Sequence, residues 1–370
     1  MIKVSAPGKL FLSGEWAVLE MGNPGVVAAV NKRVFCEIEE SGQISVTVDD
    51  FDIKNVKGEF DGKALTWDTN SDEEKDRLKF MKAAIETTFQ YLGEHKTFRI
   101  RSWGEMSQVE VDGEMKKIGF GSSAASVVAT VASVLALHGQ DVRKRETRDV
   151  IYKLSTIAHY FAQGKIGSAF DVAASTYGGV FVYKRFDPKW LEDKIESGKD
   201  VKEIVSLEWP GFYVEELQIP EDFRLEIGWT KSSASTSEMF KQMKGFKESN
   251  KQEYDRIYGD IGSLVKELIS YWKEHDKKNI IKMLRKNEDY LRELGEKSGV
   301  GIETHDLRML SEIANDHGAA GKLSGAGGGD CGIAVVFDKE AAENIKKDWK
   351  EKGLHIIDAT VDRDGVIVNQ

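Results

Sequence analysis

The sequence predicts an α+β fold built as two units. Short apolar runs of strand length alternate with longer segments of helical periodicity on both sides of the chain's middle. Residues 186–217 interrupt that alternation with a charged stretch that contains Trp and Pro. At 370 residues the chain is also long for a single hydrophobic core. The expected division is an N-terminal unit over 1–185, a charged insert or linker over 186–217, and a C-terminal unit over 218–370.

In the first unit, Ile2–Ala6 and Val26–Glu39 read as strands. Thr97–Trp103 and Gln108–Val111 read as a strand pair, with Asp112 and Gly113 supplying turn residues. Ser122–Leu137 reads as a helix with Ala125, Ala129 and Ala132 along one side, and the serines at its start suit N-capping. Ile151, Leu154, Ala158 and Phe161 recur at helical spacing and place a second helix over 146–163. Tyr177–Lys184 then reads as a strand. In the second unit, Arg224–Thr230 is a strand, followed by helices over Thr236–Lys247, Gln252–Glu274 and Lys278–Gly295. Ile257, Ile261, Leu264, Leu268 and Trp272 form one apolar stripe on the middle helix. His305–His317 is a further helix, stopped by Gly318 where a C-terminal cap favours glycine. Strand Ile333–Phe337, helix Lys339–Lys352 and strand His355–Asp362 complete the unit.

Two loops stand out against this regular background. Ser324–Gly332 holds five glycines in nine residues directly before an apolar strand. Glycine there costs backbone entropy and packs no side chain, so it marks a positive φ or a close approach to a ligand. Gly119–Ala125 sets a glycine turn in front of a helix, where free N–H groups and the helix dipole attract phosphate. The hydroxyls of Ser122 and Ser123 are able to give an oxygen to Mg²⁺. A tightly packed, capped helix start is the plainer alternative, and no Gly-Lys-Ser/Thr triplet makes the loop a P-loop. Ser5–Glu15 carries Lys9 after Pro7-Gly8, which reads as a turn ending the first strand. By itself that is an ordinary surface turn; beside two phosphate loops it supplies a cation for phosphoryl transfer. Asp171 sits in a largely apolar run after two glycines, and spacing alone leaves helix capping and active-site chemistry both open.

Net charge is −10, which argues against a nucleic-acid surface or an anionic membrane. No apolar stretch approaches a membrane span. Cys36 and Cys331 have no disulfide or metal-ligand spacing, and the chain opens directly as a strand, so a cytoplasmic protein is expected. His138, His159, His305 and His317 are scattered without metal-like spacing and read as structural.

Taken together, Ser5–Glu15, Ile118–Ala125 and Lys322–Ile333 resemble the three motifs of the GHMP kinases, in the right order and across nearly the whole chain. Within that superfamily, residues 162–174, Tyr183–Phe186, Gly228–Ser233 and Ser324–Gly332 are similar to the phosphomevalonate kinases. The second motif departs from the common pattern, with Phe120 for the usual leucine and Lys117 where many relatives have glycine. The resemblance implies an N-terminal ribosomal-protein-like domain and a C-terminal ferredoxin-like domain with ATP between them. It implies transfer of the ATP γ-phosphoryl group to 5-phosphomevalonate, in the mevalonate route to isoprenoids. Lys117, Gly119, Gly121, Ser122, Ser123 and Ala124 would hold the nucleotide, with Ser123 also on Mg²⁺. Lys9 and Asp171 would be catalytic, and Lys9, Ser168, Thr236, Ser237, Ser324, Gly325 and Ala326 would meet the acceptor. A phosphate acceptor brings a second anion, for which Lys116, Lys117, Lys165 and Lys231 are the available cations. A mevalonate kinase or another small-molecule kinase is the nearest alternative, and a catalytically silent nucleotide-binding regulator a more distant one. The oligomeric state is not readable.

Overall fold

The computed structural model describes residues 1–105, 109–111, 114–116, 118–164, 167–232 and 235–369. Its strands are β1 Ile2–Ser13, β2 Pro24–Glu40, β3 Ile44–Val48, β4 Ile53–Phe60, β5 Leu65–Trp67, β6 Phe98–Gly104, β7 Val109–Val111 and β8 Glu114–Lys116. They continue with β9 Val180–Lys184, β10 Tyr213–Leu217, β11 Arg224–Trp229, β12 Ala320–Leu323, β13 Cys331–Val336, β14 His355–Ile357 and β15 Ile367–Asn369. The helices of the first half are α1 Asp72–Leu92, α2 Ser122–Leu137, α3 Arg145–Gln163, α4 Phe170–Tyr177, α5 Pro188–Glu196 and α6 Val201–Ser206. Those of the second are α7 Thr236–Ser249, α8 Lys251–Lys273, α9 Lys277–Ser298, α10 His305–Asp316 and α11 Lys339–Glu351.

The first half is organised on β2, a 17-residue strand. β1 pairs with it antiparallel along almost its full length. β9 takes the early part of β2 and β6 the later part, both antiparallel. The sheet runs β10-β9-β2-β6-β3-β4-β5, with β6 parallel to β3. Helix α2 is apolar on all sides because it is enclosed: β1 and β2 lie under it, and α1, α3 and α4 surround it. The expected pairing of Thr97–Trp103 with Gln108–Val111 does not occur. β6 inserts between β2 and β3, while β7 pairs with β8. Gln108 and the turn at Asp112-Gly113 lie outside the described residues.

The second half is a four-stranded antiparallel sheet in the order β12-β13-β11-β14. In chain order this is a ferredoxin-like βαββαβ unit, with α7–α10 between its first two strands and α11 between its last two. Leu310, Ala334, Ile345 and Trp349 make a small core between α10, β13 and α11. The main core runs unbroken through both halves.

Two domain limits need correction. Residues 186–217 are not a linker. Asp187 caps α5 through Lys189 N (2.9 Å) and Trp190 N (3.2 Å), Trp209 is buried against Phe186, and β10 is an edge strand of the large sheet. The C-terminal unit also does not keep the end of the chain. After β14 the chain recrosses, Val361 bridges to Val30, and β15 pairs with β1. Arg33 fastens this return, ion-paired to Asp362 and donating to Gly365 O (2.6 Å) and Ser5 O (2.9 Å). The strand expected over His355–Asp362 therefore stops at Ile357. Among the described residues, no helix is long and apolar enough to cross a membrane.

Candidate active site

The first motif is strand, not turn. β1 continues through Pro7-Gly8, where a register shift against β2 takes the place of the expected turn. Beyond the bulge, Lys9 N donates to Phe120 O (2.9 Å) and Lys9 Nζ donates to Gly119 O (2.8 Å). The ammonium also stands 5.7 Å from the centre of the Phe170 ring. The first motif is thus tied to the second by both its backbone and its side chain.

At the second motif, Gly121 has φ +80° and is itself the N-cap of α2. Neither Ser122 nor Ser123 caps the helix as expected, because the cap residue has no side chain to offer and the helix starts at Ser122. The first-turn N–H groups therefore carry no side-chain cap, which suits an anion. Ser122 and Ser123 are half-buried, and Ala124 is buried. A Cβ placed on Gly121 would lie 3.3 Å from Lys9 Cγ and 3.6 Å from Asp171 Cβ, so Lys9 and Asp171 converge over this turn.

Asp171 is the second residue of α4, whose N-cap is Ala169 with φ +56°. Asp171 is therefore not the N-cap, although its Oδ1 accepts from Val172 N (2.9 Å) in the first turn of the helix. Its neighbour across the site is His159, read from sequence as structural. His159 Nε2 is 3.5 Å from Ser123 Oγ, and its ring packs on Phe80. Burial lowers the His159 pKa below its ordinary 6.5, while the Asp171 charge pulls the other way. Helical spacing gave no inward signal for it, because His159 falls to one side of the stripe of Ile151, Leu154 and Ala158.

The third loop meets both others. Ser324 Oγ donates to Phe11 O (3.0 Å) and accepts from Phe11 N (2.8 Å), which commits its hydroxyl to β1. Ala326 O accepts from Trp16 Nε1 (3.1 Å). Gly325, Gly327, Gly328 and Gly329 all have positive φ. Two of these answer a close approach of the protein's own backbone: a Cβ on Gly327 would sit 2.2 Å from Ile302 O, and one on Gly329 2.7 Å from Ser232 O. Asp330, with φ +63°, was not foreseen as part of the site. Its Oδ1 accepts from Gly119 N (3.2 Å) and from Trp229 Nε1 (3.1 Å), joining the second motif to β11. Ile118 and Phe120 on one side and His355, Ile357 and Asp358 on the other line a cleft between the halves beside this junction.

Beneath the motifs lies a buried charge network. Lys322 is ion-paired with Glu15, both almost fully buried, and Glu288 accepts from Leu323 N and Ser311 Oγ, each at 3.1 Å. Burial pushes the Glu288 pKa up to about 7 against the opposing pull of Lys322.

The remaining expected residues are more dispersed. Ser168 is half-buried in the loop before α4, and its carbonyl accepts from Tyr183 OH (2.5 Å). Thr236 and Ser237 are exposed in the first turn of α7, which Ser235 caps. Lys231 has φ +62°, and its charge helps lower the His355 pKa, after burial. Lys116 is placed only as the last residue of β8. Lys117 and Lys165 lie outside the described residues.

Comparison with known proteins agrees with this geometry. The model of the GHMP kinases N terminal domain matches residues 79–179, and that of GHMP kinases C terminal matches residues 264–355. Over 372 aligned residues the chain is 30% identical to a phosphomevalonate kinase of Streptomyces sp. (strain CL190), covering 98% of this chain and 97% of that protein. The chain belongs to the GHMP kinases. It is also 31% identical to a phosphomevalonate kinase of Saccharolobus solfataricus, with 98% of each covered. Among GHMP kinases of known structure, Streptococcus pneumoniae phosphomevalonate kinase in complex with phosphomevalonate and AMPPNP superposes with a TM-score of 0.81 at 25% identity. That match covers 98% of this chain and 100% of the other. The two-domain GHMP fold expected from the motifs is the fold observed.

Proposed function

We propose that the protein is a phosphomevalonate kinase, moving the ATP γ-phosphoryl group to 5-phosphomevalonate to give ADP and 5-diphosphomevalonate. One observation carries the reading: Lys9 and Asp171 meet over the uncapped, glycine-led start of α2. Full-length relatives named phosphomevalonate kinases support the choice of acceptor.

The ATP phosphates lie against the first-turn N–H groups of α2, between Gly119 and Ala124. Mg²⁺ bound chiefly by phosphate and water needs few protein oxygens. The half-buried Ser123 hydroxyl, beside a His159 ring that feels the Asp171 charge, fits that need. Among the described residues no cluster of three or more His, Cys, Asp or Glu suits a metal held by protein alone. Held there, Mg²⁺ would supply positive charge against the ATP phosphates. Lys9, anchored on Gly119 O, meets the transferring group and stabilises the charge that shifts during transfer. An oxygen of the acceptor phosphate forms the new bond to the γ-phosphorus. The bond from that phosphorus to the β–γ bridging oxygen breaks, and its electron pair leaves with ADP. The acceptor's second ionisation is at about 6, so little proton abstraction is required at neutral pH. Asp171 therefore acts mainly by orienting Lys9, the acceptor or the metal. Both cysteines are free and buried, which suits the reducing cytoplasm.

The test is ADP release with mevalonate and 5-phosphomevalonate compared side by side. Turnover restricted to the phosphorylated acceptor is expected; preference for mevalonate would overturn the reading. A second arm compares pH profiles of kcat/KM for the native enzyme and Asp171→Asn. The variant should retain partial activity and an acidic limb near pH 6, the acceptor's own value. An acidic limb that vanishes in the variant would make Asp171 the titrating base.

A further inference from the structure

The loop leading into Asp171 is gripped from behind by two residues that lie two apart at the end of β9. Tyr183 OH donates to Ser168 O at 2.5 Å, and Arg185 Nη2 donates to Gly167 O at 3.0 Å. These are consecutive carbonyls. Fixing one carbonyl fixes the plane of its peptide bond. Fixing two in a row sets the φ and ψ of Ser168 between them, and the second plane holds one side of the φ rotation of Ala169, whose other side is held by α4. Ala169 is held at φ +56°, a region that costs a residue with a Cβ free energy and persists only where its surroundings enforce it. From that residue α4 begins, with Asp171 in its first turn.

The grip is itself braced. Tyr152 OH is 3.1 Å from Tyr183 OH. The single Tyr183 proton goes to Ser168 O, so Tyr152 is the donor to Tyr183. Both rings are fully buried, and Tyr152 stacks on Phe212 at 4.4 Å. Two phenylalanines would fill this space without hydroxyls to satisfy, so the hydroxyl pair points to a need at its far end. Arg185 reaches the other way as well. Its Nη1 donates to Leu19 O (3.3 Å), in the short turn that follows the first motif.

We propose that Tyr183 and Arg185 are positioning residues for phosphoryl transfer, holding Ser168 and Asp171 in the geometry that receives the acceptor. The hydrogen bonds that define the grip run to the loop before α4 and to Leu19, on the acceptor side, so the proposal predicts a selective defect. Its kinetic part rests on the phosphomevalonate kinase reading; its structural part does not.

Two measurements on the full chain test it. In initial-rate kinetics, Tyr183→Phe should lower kcat/KM for 5-phosphomevalonate about tenfold, the worth of roughly one well-made hydrogen bond. KM for ATP should stay close to the native value. Arg185→Lys, which keeps one donor, should retain more activity than Arg185→Met. Ala169→Gly should restore part of the loss in a Tyr183→Phe background, since glycine reaches positive φ without enforcement. Unchanged acceptor kinetics, equal losses for both substrates, or no gain from Ala169→Gly would each overturn the proposal. Amide hydrogen exchange supplies the readout without turnover. Exchange over residues 167–171 should quicken about tenfold in Tyr183→Phe while α2 is unaffected. If the native chain fails to turn over 5-phosphomevalonate, the functional reading falls and exchange alone judges the grip; unchanged exchange overturns it.

Discussion

Lys9 is held by the loop it serves. A lysine ammonium has three protons to donate, and the bond to Gly119 O anchors the group at the mouth of α2 rather than letting it swing in solvent. Lys9→Met keeps the length of the side chain and removes the charge. Because the charge matters most as negative charge shifts in the transition state, kcat should fall roughly a hundred- to a thousand-fold. ATP affinity, measured by titration without acceptor, should change little. A near-native kcat would remove Lys9 from the mechanism. At this scale the sequence was a good guide where a residue type was out of place. A lysine after Pro-Gly and an aspartate inside an apolar run both drew notice and both reach the site. His159 and Asp330 did not, for a physical reason. A lone histidine beside the apolar stripe of a helix looks the same whether it faces solvent or a cleft, and what Asp330 does depends on Gly119, some two hundred residues away.

Glycines mark the three segments that meet at the site, yet each glycine answers a different neighbour. Gly121 gives α2 an uncapped start, Gly327 yields to Ile302 O, and Gly119 leaves room for Asp330. A Cβ on Gly119 would stand 1.8 Å from Asp330 Oδ2, so Gly119→Ala should push the third loop off the second. The expected result is a rise of tenfold or more in KM for ATP, from displacing a loop that must hold phosphate at hydrogen-bond range. Asp330→Ala in the same chain removes the obstructing oxygens, so the double variant should bind ATP better than Gly119→Ala alone. Additive losses would mean that the two residues do not oppose each other. The helices α3, α8 and α9 were legible because their apolar stripes are long and strongly periodic, and α2 because an unbroken run of small and apolar residues follows its glycine-serine start. Strands β3 to β5 and helix α1 escaped notice. In β4, for instance, Lys54, Asn55, Lys57 and Glu59 are exposed, leaving too little apolar alternation to read. The same dilution disguised β10, an edge strand with Glu215 and Glu216, as linker. Helix α5, earlier in the same stretch, did carry a signal, since Asp187-Pro188 is a helix start.

Across the whole molecule, the two halves share one core, and two of the ion pairs that cross between them are buried. Arg33 and Asp362 tie the returning tail to the first sheet, and Lys322 joins the third motif to Glu15 at the end of the first. Neither crossing was readable from sequence, because both partners look like surface charges until the fold brings them together. The second crossing predicts a pH dependence of stability. Glu288, buried beside Lys322, ionises near 7 in the folded chain against an ordinary value of 4.5. Below pH 4.5 the carboxyl is protonated in both states and takes nothing from stability. As pH rises from 4.5 to 7, the unfolded chain loses this proton and the folded chain keeps it. Stability on this account therefore falls through that window and levels off above it. The fall is on the order of 3 kcal/mol, at about 1.4 kcal/mol for each unit by which the two values differ. Glu288→Gln cannot ionise and keeps groups able to meet Ser311 and Leu323. Denaturant unfolding of both proteins at pH 5 and pH 7.5 isolates this group, because every other titration cancels in the difference. The variant should gain on the native chain by on the order of 2–3 kcal/mol as pH is raised across that interval. A difference that stays constant would mean that Glu288 ionises at its ordinary value, and that at neutral pH a second carboxylate joins Glu15 beside Lys322 beneath the motifs.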